Sequence, residues 1–257
     1  MKEKEIPFEI IHEGIIESTI PFSNQMIDNG KKENFLLNCD EQTKGRGSGN
    51  RKWFSPRGNA LTTLNLKENN LPKNNLKLWP FLIGISICEN LNKLSKDKFC
   101  IKWPNDILCV DKFKVCGILV DKYKDFYQLS FGINLVKSPE NSEIRKGGRQ
   151  GCNLSNHSEN IPDPLEFSIL LCKDICHKLI TYNSEKIIEE WRKNANFDVE
   201  ITKRDDESGK LYKPLDIDLE GKLKVKGEDG KEEIIDPQFP YYKKFKIKIR
   251  KNIMLNN

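Results

Sequence analysis

Four strand-like runs follow one another between Phe99 and Ile133, with little chain between them: Phe99–Trp103, Ile107–Val110, Val115–Asp121 and Tyr127–Ile133. Asp111-Lys112-Phe113 separates two of them as a hairpin turn, which makes those two antiparallel partners. Upstream, Ile15–Thr19 reads as a short strand ending in polar residues, Asn34–Cys39 as another, and Ala60–Leu66 as a third. Between these groups, Ile83, Ile87, Leu91 and Leu94 recur at helical spacing after Phe81. Helices are also predicted over about 164–182 and 184–195, and the polar stretches 67–77 and 137–162 read as loops. The fold class is α+β: a mixed β-sheet domain packed with helices.

After Asn196 the pattern changes. Phe197, Val199 and Ile201 alternate, then Leu215 and Ile217, Leu223 and Val225, and Phe245, Ile247 and Ile249. Ser208-Gly209, Glu220-Gly221 and Asp229-Gly230 punctuate them as turns, which predicts a small antiparallel barrel over 196–257, after a larger domain over 1–195. The basic tail Tyr241–Lys251 is either its last strand or an extension, and a strand is favoured.

At 257 residues both units can bury a core. The net charge of +5 is spread among interleaved acids, so it reads as solubility rather than a one-sided nucleic-acid surface. The eight cysteines include no Cys-x-x-Cys pair, and several sit in apolar runs, as buried thiols in a reducing compartment do. Cys172, Cys176 and His177 can share a helical face, but no metal site is expected there. No signal-type leader is evident, and no run reaches the ~18–20 apolar residues of a membrane span, so the expected location is the cytoplasm.

The stretch from Gln42 to Pro56 carries the chemistry. Gly45, Gly47 and Gly49 allow close backbone approach to a ligand, while Lys44, Arg46, Arg51 and Lys52 offer charge-assisted donors to phosphate or carboxylate. Trp53 adds a face on which a flat base can stack. Composition alone also fits a solvated basic loop. It is not a P-loop, since no Gly-Lys-Ser/Thr opens a helix after a strand.

Downstream lie Lys102-Trp103-Pro104-Asn105-Asp106, then Lys114-Val115-Cys116-Gly117-Ile118-Leu119, then Gly132-Ile133-Asn134. With Gly45-Arg46-Gly47 and Trp53-Phe54-Ser55-Pro56, these blocks stand in the order of the biotin protein ligase family, which the chain resembles over roughly residues 15–136. The resemblance implies a class II synthetase/biotin ligase-like catalytic domain followed by an SH3-like β domain. It implies ATP-dependent ligation of biotin to a lysine of an acceptor protein through biotinyl-AMP, with ATP and Mg²⁺ as substrate and activator. The implied partner is the biotin-acceptor domain of a carboxylase such as acetyl-CoA carboxylase, with neither DNA nor membrane and with a monomer or homodimer both open. Fewer than twenty residues precede Ser18-Thr19, which leaves no room for the winged-helix domain of the family's repressors.

The resemblance also implies roles. Arg46, with the Gly45 and Gly47 amides, would hold the biotin carboxylate and the adenylate phosphate, and Lys114 would be the second cation; its plain alternative is an exposed hairpin lysine. Ser18, Thr19 and Gln42 match residues that bond the ureido ring, although Ser-Thr alone also reads as a helix N-cap. Gly117 and Gly132 would let the bicyclic ring approach the backbone. Asn105 and Asp106 match residues at the nucleotide, with Asp106 orienting Mg²⁺-bound phosphates or the incoming amine; a turn after Pro104 is the structural alternative. Trp53 matches an aromatic packed over adenine, and Asn134 a ribose or nucleotide contact. Ser48 stands where the family usually has Arg or Lys, with Arg51 or Lys52 able to compensate. Ser18-Thr19-Ile20 departs from the family's Ser-Thr-Asn, with Asn24 a few residues on. A lipoate or octanoate ligase or transferase of the same superfamily, and a non-enzymatic anion- or nucleic-acid-binding module, are the alternatives.

Overall fold

The computed structural model describes residues 5–71, 76–140, 150–201 and 210–237. Its centre is a seven-stranded mixed sheet in the order β1-β2-β5-β9-β8-β7-β6. Strand β1 (Glu9–Ile16) runs parallel to β2 (Phe35–Gln42), and every other pairing in the sheet is antiparallel. A parallel pair needs a crossover. Helix α1 (Thr19–Asp28) supplies it, so the strand expected over Ile15–Thr19 ends at Ile16 instead. Ser18 caps the helix in an extended conformation, and Ile20, Ser23 and Ile27 turn one side of α1 inward.

Strand β5 (Ala60–Lys67) lies mid-sheet, covered on both faces, and is buried from Ala60 to Leu66. Its polar residues are therefore bonded. Thr62 donates to Ser168 Oγ at 2.8 Å on one face, while Asn65 donates to Ser23 Oγ at 3.1 Å on the α1 face. β9 (Phe126–Ile133) and β8 (Lys114–Tyr123) follow, then the short β7 (Asp106–Leu108) and β6 (Cys100–Lys102). These match the four predicted runs, with β6 shorter at both ends, β7 shifted toward Asp106, and β8 and β9 longer than expected.

Helix α2 (Trp79–Leu94) is buried without a break from Trp79 to Cys88. An all-round apolar surface needs partners on every side. The sheet, α3 (Pro164–Thr181) and α4 (Ser184–Asn194) provide them. Asp163 caps α3 by accepting from Leu165 N and Glu166 N, and Asn183 caps α4 through Lys186 N. All eight cysteines are free, and burial pushes the Cys39 thiol up to about 12. His177 is exposed while Cys172 and Cys176 are buried, so that trio does not converge. Among the described residues no helix is long and apolar enough to cross a membrane.

Strands β10 (Tyr212–Ile217), β11 (Leu223–Gly227) and β12 (Glu232–Ile235) form a three-stranded antiparallel sheet, compatible with an SH3-like domain. The predicted alternation at Phe197–Ile201 yields only a bridge between Ile201 and Tyr212. The turn at Ser208-Gly209, the alternation at Phe245–Ile249 and the tail Tyr241–Lys251 lie outside the described residues. The predicted loops contain single helical turns at Glu68–Asn70, Leu76–Leu78 and Leu154–Asn156, and Gly151 bridges to Lys114.

The small sheet is fastened to the helices and to the loop after β6. Trp103 Nε1 donates to Gly221 O at 3.1 Å, Arg192 grips Asp216 with two bonds of 2.9 and 2.6 Å, and Lys77 pairs with Glu220. Gly221 has φ +72°, and a Cβ there would stand 2.9 Å from the Phe81 ring. Gly221→Ala should therefore lower stability by about 1–2 kcal/mol from the left-handed backbone alone, read as a lower urea midpoint. An unchanged midpoint would show that this turn does not hold the sheet in place.

Candidate active site

The glycine-rich stretch folds into a two-stranded ribbon. β3 (Arg46–Gly47) pairs with β4 (Arg51–Lys52), and Gly49 at φ +65° lies between them. The register sets Arg46 directly opposite Lys52. Like charges facing across a strand pair oppose one another. Among the described residues neither has an acidic partner, so the ribbon holds positive charge that an anion would relieve. Lys44 is different, ion-paired to Glu17 at 2.5 Å. Arg51 folds back onto Ser48, donating to its carbonyl at 2.6 Å and to its hydroxyl. A guanidinium thus sits at the position where the expected cation is missing.

The ribbon is anchored at its root. Lys44 N donates to Glu17 O at 2.8 Å, Trp53 N to Gly45 O at 2.8 Å, and Gln42 N to Ser55 O at 3.0 Å. Side chains continue the connection inward. Gln42 Nε2 donates to Ser55 Oγ at 2.9 Å, while Gln42 Oε1 accepts from Thr19 N at 2.8 Å and Thr19 Oγ1 at 3.2 Å. Thr63 then links Thr19 to Ser130 with bonds of 2.9 Å each. Gly45 is required by packing, because a Cβ would stand 2.3 Å from Ser55 Oγ; Gly47 meets only ordinary contacts. Ser18 Oγ is buried without a hydrogen-bond partner among the described residues. An orphaned hydroxyl beside this chain of bonds is open to a polar ligand.

Gly117 and Gly132 are register partners on adjacent strands and form a bare patch of sheet. The Trp53 indole lies on it: a Cβ at Gly132 would fall 2.1 Å from Trp53 Nε1, and one at Gly117 would fall 3.0 Å from Cζ3. The space expected for a bicyclic ring is thus held by this indole. Lys114 Nζ stands 5.0 Å from the indole centroid, a cation–π contact. The same ammonium meets Asp106 Oδ1 at 2.5 Å, and Asp106 Oδ2 lies 3.5 Å from Lys102 Nζ. One carboxylate serves two ammoniums.

The structure therefore brings Trp53, Gly117, Gly132, Lys114 and Asp106 together, and β3 packs along β8, bringing the ribbon to the same region. Thr19 and Gln42 join beneath it through their own bond. Asn105 is a brace, donating from Nδ2 to Ile118 O at 2.7 Å while its carbonyl accepts Ile118 N at 2.9 Å. Asn134 Nδ2 holds Cys152 O at 3.0 Å, leaving Oδ1 buried and unpartnered among the described residues. Sequence reasoning missed Lys102, Ser55, Thr63 and Ser130. Lys102 and Ser55 stood inside the quoted motifs without a role of their own, and Thr63 and Ser130 are polar residues at buried positions of β5 and β9.

Mg²⁺ is a poor fit as a resident ion. The carboxylate at the site is already shared by two ammoniums, which disfavours inner-sphere coordination to a dication.

Residues 15–135 match the Biotin/lipoate A/B protein ligase family. The Bifunctional ligase/repressor BirA of Escherichia coli (strain K12) is 29% identical over 71% of this chain and 58% of its own length. The Biotin--[acetyl-CoA-carboxylase] ligase of Paracoccus denitrificans is 27% identical over 60% of this chain and 68% of its own length. The chain spans about half the length of the first curated relatives it matches, 48%, 41% and 58%. Among solved structures, the biotin protein ligase from Aquifex aeolicus in complex with biotin and ATP has a TM-score of 0.72 at 23% identity, covering 94% of this chain and 98% of that one. That likeness establishes the fold, and with the match over residues 15–135 the chain carries a domain of the Biotin/lipoate A/B protein ligase family.

Proposed function

We propose that the protein is a biotin–protein ligase, joining biotin to a lysine of an acceptor protein at the expense of ATP. The observation that carries this reading is the convergence of Lys114, held by Asp106 over the Trp53 indole, with the uncompensated Arg46/Lys52 ribbon. Two zones of positive charge flanking a bare glycine floor suit an acid being activated as a phosphate anhydride.

The chemistry proceeds in two steps. The biotin carboxylate attacks the α-phosphate of ATP, forming biotinyl-AMP and releasing pyrophosphate. The acceptor amine then attacks the acyl carbon, forming the amide and releasing AMP and a proton. In both steps negative charge builds on oxygens beside phosphorus or carbon, and cations fixed before reaction stabilise it without reorganising. Lys114 and Arg46 take that role, with Asp106 and Lys102 setting where the Lys114 ammonium stands. Ser18, Thr19 and Gln42 would meet the ureido group, and Gly117 and Gly132 would bear the bicyclic ring once the Trp53 indole moves aside toward the nucleotide. Arg51 and Lys52 extend the positive surface for the phosphates. Mg²⁺ enters with ATP as part of the substrate. Residues 1–195 form the catalytic domain in this reading and 196–257 the smaller β domain. The reaction takes place in the cytoplasm with a carboxylase carrier domain as acceptor, and no step calls on DNA or a membrane.

The test is incubation with ATP, Mg²⁺, labelled biotin and a biotin-acceptor domain. Hydroxylamine-resistant label on the acceptor is expected; label from lipoate alone would favour the lipoate branch of the family, and no transfer of either acid would overturn the reading. Charge-assisted bonds are worth about 1.5–3 kcal/mol, so Lys114→Met should lower kcat/KM at least about tenfold. Lys122→Met, removing an exposed lysine paired with Glu68, should change it little. Gly132→Ala places a methyl group on the floor and should raise KM for biotin by about tenfold or more, since a close approach is lost. Ser48→Arg should slow biotinyl-AMP release; equal off-rates for the two proteins would mean that Arg51 already fills the role.

A further inference from the structure

We propose that Cys109, Cys152 and His157 form a binding site for one thiophilic metal ion of the zinc type. A nitrogen of His157 and both Sγ atoms lie within 4.8 Å of one another. Tetrahedral zinc, with bonds of about 2.3 Å to sulfur and 2.0–2.1 Å to nitrogen, needs such donors roughly 3.5–3.8 Å apart. Separations of at most 4.8 Å therefore need to close by no more than about 1.0–1.3 Å. Cys109 is 1% exposed and Cys152 5%, and the His157 side chain is 6% exposed.

The imidazole is already arranged as a ligand. Its Nδ1 lies 2.9 Å from Asp97 Oδ2. A carboxylate only accepts, so Nδ1 carries a proton, and in the neutral ring, the form that binds a metal, Nε2 then offers its lone pair, the carboxylate–histidine pairing seen behind metal-bound imidazoles. Phe99 stands edge-on to the ring at 5.5 Å, and the His157 backbone is tied to Ser95 Oγ at 2.7 Å and to Leu154 O at 2.8 Å. The thiols come from separate segments. Cys109 opens the hairpin turn, bonded through its N to Phe113 O at 2.9 Å, and Cys152 lies beside β8. Among the described residues no other group of His, Cys, Asp and Glu side chains gathers in this way.

This site is separate from the charge site yet touches its scaffold. Cys152 N donates to Lys114 O at 3.0 Å, and Cys152 O accepts from Asn134 Nδ2 at 3.0 Å. A metal ion here would displace the two thiol protons and fasten the strand that begins at Lys114. The binding itself does not depend on the ligase reading, because its test reads metal rather than turnover.

The test uses the full chain, purified reduced and without chelator, then titrated with Zn²⁺ and separately with Co²⁺. Expected are one zinc per chain by elemental analysis and a thiolate-to-cobalt charge-transfer band. Cys152→Ser and His157→Gln should abolish both, whereas Cys176→Ser should leave both intact. Since the buried substitutions can impair folding, Asp97→Asn serves as the second variant. Its carboxylate is half exposed, and its loss should weaken zinc binding about 10–100-fold with unchanged circular dichroism. Absence of the cobalt band in folded protein, equal metal retention by every variant, or a Cys109–Cys152 disulfide in place of bound metal would each overturn the proposal.

Discussion

A single carboxylate sets the geometry of the charge site. Asp106 meets Lys114 on one oxygen and the nearly buried Lys102 on the other. Withdrawing the carboxylate leaves two ammoniums facing each other uncompensated in poor solvent, where loss of one partner of a buried pair typically costs about 3–5 kcal/mol. The antiparallel register enforces the arrangement, since Asp106 lies opposite Gly117 and Lys102 opposite Asp106. The β6–β7–β8 meander thus fixes both the ammonium and the bare backbone beside it. The ribbon carrying Arg46 needs only to fold down onto that surface.

Beneath the ribbon, a buried series of bonds through Ser130, Thr63, Thr19, Gln42 and Ser55 crosses from β9 to β5, to the start of α1, to the end of β2 and into the loop. Each member is satisfied by the next, which makes such a network rigid and specific. Ser18 stands at its edge with its hydroxyl unmatched. Unmet hydrogen-bonding capacity along this series is thereby confined, among the described residues, to the Ser18 hydroxyl.

The strands between Phe99 and Ile133 and the helices after Phe81 and at 164–195 were legible because each carries a period that one kind of element satisfies. Helix α1 was not. Its inward side is a few residues wide and includes Ser23, so its apolar signal is weak, and only the parallel β1–β2 pair explains why it must be there. The charged residues were legible by motif as a set, and the structure pairs Lys114 with Asp106 and packs β3, which carries Arg46, along β8. What sequence could not supply was the third dimension of the partnerships. Nothing in the order of residues says that Trp53 lies on Gly132, that Asn105 braces β8, or that Thr63 and Ser130 meet across strands. The same limit hid the grouping of Cys109 with Cys152 and His157, since Cys109 lies 43 residues before Cys152.

Trp103 joins two regions that would otherwise be unrelated. Its indole hangs on Gly221 in the turn of the small sheet, while three residues later the same loop delivers Asp106 to the two ammoniums. One indole hydrogen bond thus ties the turn of the small sheet to the strand that carries the shared carboxylate.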